Sequence, residues 1–140
     1  MFHCFLTALL NLFHRTSTPS TIQHSRGKRG EDLAVRYLKQ NTGYTILLRN
    51  WSNGRQEIDV ICRDGDALVF VEVRARSSTA KVSGYASINA KKRKNLRRAA
   101  FSYMGTLPQR PLTYRYDVIE LGMKDHHADH IRLYKNVKVF

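Results

Sequence analysis

"RQEIDVICRDGDALVFVEVRAR", residues 55–76, decides how the rest of the chain is read. Two runs rich in β-branched and aromatic residues flank Asp64–Gly65, a strong short-range hairpin signal. With the turn centred there, Cys62 faces Ala67, Val60 faces Val69 and Ile58 faces Val71, an apolar side predicted to be core. The other side carries Ile61 with Leu68, Asp59 with Phe70, and Glu57 with Glu72, with Arg74 one pleat further on. Directly facing carboxylates have Cβ atoms about 5 Å apart, and Asp59 lies on the diagonal to Glu72 at roughly 7 Å. Like charges at about 4 Å repel by about 4 kcal/mol at an effective dielectric of about 20. The crowding asks for a positive partner. Arg74 and Arg76 supply part of it, and a divalent cation can supply the rest, since Mg2+ takes one or two carboxylates plus water and phosphate oxygens. The competing reading is an exposed strand end whose acids face water and pair with nearby arginines.

The chain of 140 residues suits one domain, and 42% hydrophobic with 25% charged residues fits a folded core. Its charge is the exception: 24 Lys and Arg against 11 Asp and Glu leave a net +13. That surplus favours a polyanion, nucleic acid before anionic membrane, unless the protein is merely basic. Cys4 and Cys62 are far apart and form no CxxC, which excludes a disulfide framework and zinc-finger spacing and fits a reducing, cytoplasmic setting. "MFHCFLTALLNLFH" (1–14) is too short to span a bilayer and has no basic n-region, which argues against a span or a signal peptide. A short interfacial helix, with Arg15, Arg26, Lys28 and Arg29 beside it, stays open as a third, peripheral-membrane reading. "RTSTPSTIQHSRG" (15–27) reads as a linker, so residues 1–25 are expected as a flexible extension and 26–140 as the domain.

Within that domain, "GKRGEDLAVRYLKQN" is a helix with Glu31 and Asp32 in its first turn, and "YTILLRNW" a strand before the hairpin. A Ser/Gly-rich loop at 77–86 leads to "SINAKKRKNLRRAAFSYM", where Leu96, Ala99, Ala100 and Tyr103 recur at helical spacing. "TYRYDVIEL" is a strand, "KDHHADH" a polar turn and "IRLYKNVKVF" a last strand. The order α, β, β, β, α, β, β implies a mixed sheet flanked by helices. Lys91, Lys92, Arg93, Lys94, Arg97 and Arg98, with no acid among them, suit a grip on a nucleic-acid backbone. A solvated charged face is the alternative. His126, Asp129 and His130 are read as a solvated loop, and Trp51, Tyr85 and Tyr103 as packing residues.

Taken together, "GxxGEDLAVRYL", "EIDVICRDGDALVFVEVRAR", "KKRKNLRRAA" and "YRYDVIEL" resemble the YraN-like proteins. This bacterial family of uncharacterised function is placed in the PD-(D/E)xK nuclease superfamily and is similar to archaeal Holliday-junction resolvases. The likeness runs from about Gly27 to the C-terminus. It implies an α/β, restriction-endonuclease-like fold. It also implies a site in which Glu31, Asp59 and Glu72 hold Mg2+ or Mn2+ and Arg74 stands where the superfamily usually has Lys. An Arg stays protonated, so charge stabilisation and water placement survive there while a general-base role does not. Glu57, Arg76 and Asp117 are secondary candidates, Asp117 either buttressing the site or pairing with Arg115. The expected function is metal-dependent endonuclease action on DNA, branched DNA included, with a homodimer as an expected form and no small-molecule cofactor. The alternative is a binding module with little or no cleavage.

Overall fold

A computed structural model describes residues 19–139. Helix α1 spans Pro19–Asn41. It starts earlier than its composition suggests: residues 19–25, expected as linker, are helical, because a proline at the head of a helix has its φ preset and loses no needed N–H. Glu31 and Asp32 therefore lie in mid-helix, and the first turn carries no acid. Residues 1–18 of the expected extension lie outside the described residues.

Strands β1 (Thr45–Asn53), β2 (Gln56–Asp64) and β3 (Ala67–Ser77) follow; helix α2 (Ala90–Gly105) then crosses to β4 (Thr113–Lys124) and β5 (His127–Tyr134). The sheet order is β1-β2-β3-β4-β5, antiparallel except for the β3–β4 pair, which α2 makes parallel. The architecture is a five-stranded mixed sheet between two helices, consistent with a restriction-endonuclease-like fold. "HADH", expected in a turn, belongs to β5; it is an edge strand, where polar side chains reach water.

The hairpin register differs from expectation by two residues. Asp64 pairs with Ala67, Cys62 with Val69 and Val60 with Val71, so the loop is Gly65–Asp66, with Gly65 at φ 58°. Both Asp64–Gly65 and Gly65–Asp66 are good turn dipeptides, and only packing chooses between them. A slip of two keeps every side chain on its face. Glu57 accordingly does not oppose Glu72. The side expected to lie outside the core is buried too: Val60, Cys62, Val69 and Val71 pack under α1, whereas Ile61, Leu68 and Phe70 pack under α2. Ile58 belongs to the α2 cluster and not, as expected, with Val60. Alternation inverts between them, and β1 inverts at the same level: Asn50, between the pairs Arg49–Val60 and Trp51–Ile58, is left-handed at φ 51°.

Candidate nuclease-like site

Regular pairing of β2 with β3 ends at Val60–Val71. At the next step the Asp59 side chain replaces the ladder, its Oδ2 accepting the Val73 N–H at 2.7 Å. Asp59 is thus laid against β3 beside Glu72, and the two line the same cleft. Glu72 is 1% exposed. Its Oε1 meets Lys92 Nζ at 3.0 Å and an Arg74 guanidinium nitrogen at 3.6 Å, while its buried Oε2 has no partner. An orphaned buried carboxylate oxygen is costly, and a sheet kept only for stability would not hold one.

The electrostatics follow from that burial. Desolvation, then the Asp59 charge, push Glu72 up to about 7, against the pull of Lys92 and Arg74. Desolvation also raises Asp59, with Glu57 adding to it, while the Val73 N–H, Lys92 and a hydrogen bond from the Glu72 carboxyl when it carries a proton oppose. Glu31 is raised by partial burial and by Asp59, and lowered by Asn50 and Arg49. Glu31, Asp59, Glu72, Arg74, Arg76 and Lys92 all line one open cleft of about 570 Å³. Among the described residues no group of three or more His, Cys, Asp or Glu is close enough to hold an ion as it stands. Asp59 and Glu72 are the two neighbouring carboxylates, and Glu31 of α1 lines the same cleft. The pair fits a hard divalent cation, since the partnerless Glu72 oxygen and two mutually repelling carboxylates need a positive charge, and Mg2+ accepts two protein oxygens with water filling the rest.

Arg74 is held in place from behind. Its Nε and Nη2 donate to Ser87 Oγ at 3.3 and 3.0 Å, and that hydroxyl donates to Gly84 O at 2.6 Å. Arg76 reaches the same oxygen at 3.5 Å and also donates to Ala75 O. Gly84 passes so near that an added Cβ would lie 2.9 Å from the Arg74 Cβ and backbone oxygen, and Glu120 Oε2 pins the loop by accepting the Tyr85 N–H at 2.9 Å. Ser87 and Glu120 were not among the expected site residues; they come close only through the fold, and no local spacing marks them.

The six α2 cations divide. Lys92 enters the cleft, and Arg93 donates to Ile88 O and Lys138 O. Lys91, Lys94, Arg97 and Arg98 stay exposed. Lys92 had a legible signal: it shares the buried stripe of Leu96, Ala99 and Tyr103 at i, i+4, i+7 and i+11. Glu57 is exposed and outside the cleft lining. Asp117 is also outside it, fully buried and bonded to Arg115, Tyr44 and the Asn136 N–H. His130 faces Glu120 at 3.6 Å. Tyr85 stacks on Tyr134 with centroids 4.5 Å apart, and Tyr103 is buried against Trp51. Among the described residues no helix is long and apolar enough to cross a membrane.

Comparison with known proteins adds kinship without an activity. Residues 30–121 match the uncharacterised protein family UPF0102. A UPF0102 protein of Chlorobium limicola is 41% identical over 109 residues, covering 78% of this chain and 84% of the relative. One of Chlorobium phaeobacteroides is 38% identical over 116 residues, with 83% and 91% covered. One of Nitratidesulfovibrio vulgaris is 37% identical over 97 residues, with 69% and 72% covered.

Proposed function

The chain belongs to the UPF0102 family, the YraN-like proteins, and for this member we propose metal-dependent endonuclease action on DNA. The observation that carries the proposal is the partnerless Glu72 oxygen beside Asp59, in an open cleft that also holds a guanidinium and an ammonium. Asp59 and Glu72 would hold a Mg2+ or Mn2+ ion, with Glu31 in reach through water. Such an ion polarises a phosphoryl oxygen and lowers the pKa of a bound water. The protein's own groups do the remainder. Arg74, fixed by Ser87, faces the developing negative charge of a phosphodiester under attack. Lys92 contributes the mobile point charge that the third strand lacks, and while the carboxylates stand alone it neutralises Glu72. Lys91, Lys94, Arg97 and Arg98 hold the backbone without reading sequence.

The test is Mg2+- or Mn2+-dependent cleavage of duplex, flap and junction DNA by the whole chain, abolished by chelator and by Asp59→Ala. One feature favours the reading of a binding module without cleavage. Lys92 and Arg74 already give Glu72 counter-charge. Salt-sensitive DNA binding that ignores chelator, with intact substrate under every metal, would establish that reading and end the first.

A further inference from the structure

The flank of α2 away from the cleft carries two aromatic side chains that the core leaves open. Phe101 and Tyr114 are 37% and 41% exposed. Their rings meet edge-on at 6.1 Å, and Tyr114 rests in turn on buried Phe70 at 6.4 Å, so the pair is backed by the core. The Arg97 guanidinium lies over Phe101, 5.7 Å from its centroid. Lys94, Arg97 and Phe101 are spaced three and four residues apart and share one helix flank, with Arg98 exposed beside them and no acid anywhere on α2. Leu112, 99% exposed, precedes Tyr114 by two residues and extends the apolar surface.

An apolar patch could also receive a second copy of this chain. Each copy carries +13 and the same cationic flank, so that contact would set like charges against each other, whereas a polyanion is drawn to them. Within a duplex the base faces are already stacked; only unpaired bases can offer theirs to an aromatic ring. The same helix connects platform and cleft: Lys92, at its first turn, reaches Glu72, and Phe101 lies about 14 Å further along the axis at about 1.5 Å per residue.

We infer that Phe101 and Tyr114 form a stacking platform for the unpaired bases of a single-stranded segment, whose phosphates follow Lys94, Arg97 and Arg98. The site then prefers nucleic acid with an unpaired arm over a closed duplex. This rests on the nucleic-acid half of the function proposed above and is independent of hydrolysis.

The experiment is done in chelator, by fluorescence anisotropy with a labelled oligothymidylate and a blunt duplex of equal length. Phe101→Ala and Tyr114→Ala each weaken single-strand binding about tenfold, while duplex binding changes less than twofold. Phe101→Leu, which keeps apolar bulk without a π-face, shows the same selective loss, and Phe101→Trp restores binding. Should an alanine variant fold poorly, the fluorescence of Tyr114→Trp is quenched by the oligothymidylate and not by the duplex. Equal losses on both substrates, no loss in well-folded variants, or light scattering in which these variants turn a dimer into a monomer would each overturn the platform. Wild-type protein that binds neither substrate defeats the nucleic-acid reading itself and the platform with it. Single-strand binding through these rings without any cleavage under metal defeats only the hydrolysis.

Discussion

Two buried acids on neighbouring strands, Glu72 and Asp117, meet opposite fates. Asp117 pairs across the ladder with Val71 and so points to the α1 side, while Glu72 points to the other. Asp117 accepts from Arg115 at 3.1 Å, from the Tyr44 hydroxyl at 2.8 Å and from the Asn136 N–H at 2.9 Å, and Arg115 also reaches Asp64. Every lone pair that matters is used, and the cluster ties the C-terminal segment to the sheet. Glu72 has two cations on one oxygen, nothing on the other, and a second carboxylate nearby. The completed network serves stability, whereas the incomplete one is an unmet demand for charge from outside the fold. Acidity and burial alone do not separate them.

The contrast predicts opposite phenotypes. The largest effect falls on activity: Asp59→Ala or Glu72→Ala lowers metal-dependent DNA cleavage by about a thousandfold, read as initial rates. In Glu72→Ala the melting temperature holds or rises because like charges are relieved, whereas Asp59→Ala also loses the acceptor of the Val73 N–H and melts lower. Asp117→Asn does the reverse. It breaks a buried pair at about 3 kcal/mol in urea titrations and leaves cleavage by the folded fraction intact. Equal destabilisation by Glu72→Ala would erase the distinction.

The pH dependence sharpens it. With its carboxyl raised to about 7 in the folded chain, Glu72 binds a proton more readily folded than unfolded. Its contribution is therefore favourable below the ordinary carboxylate range and is lost as pH rises through about 7. Wild-type stability should fall across that window relative to Glu72→Gln, by about 3 kcal/mol at most, in urea midpoints from pH 4 to 8 (about the span of the titration). Added Mn2+ should narrow the gap. A flat difference would mean that Glu72 is not protonated by burial. The smallest effect belongs to Ser87→Ala, which frees Arg74 and costs about fivefold in cleavage, near one hydrogen bond's worth, with DNA affinity unchanged.

Much of this was legible before folding. The hairpin, the two helices and the order of elements follow from period and turn chemistry. The two-residue slip keeps Glu72 on its expected face, whereas Asp59 reaches Glu72 at the point where the alternation inverts. The register itself was ambiguous between two overlapping turn dipeptides. Lys92 was hidden among five similar cations, and only its phase with Leu96, Ala99 and Tyr103 distinguishes it. The Ser87 and Glu120 contacts could not be read, because the first folds the irregular loop after β3 back onto Arg74 and the second joins that loop to β4 across the α2 crossover, and neither has a periodic spacing.

The inversion at Asn50 has a mechanical consequence. A single left-handed residue on β1, level with Asp59, lets one ribbon feed both helix interfaces: Arg49 turns toward Asp32 on α1 and Trp51 toward Tyr103 on α2. Asp59 sits on the pivot of that half-twist, so the direction of its carboxylate is set by the handedness of the neighbouring strand as well as by its own rotamer. Glycine could inherit the pivot without strain, whereas a β-branched residue would push the ribbon toward regular alternation and swing the acid away from its partner.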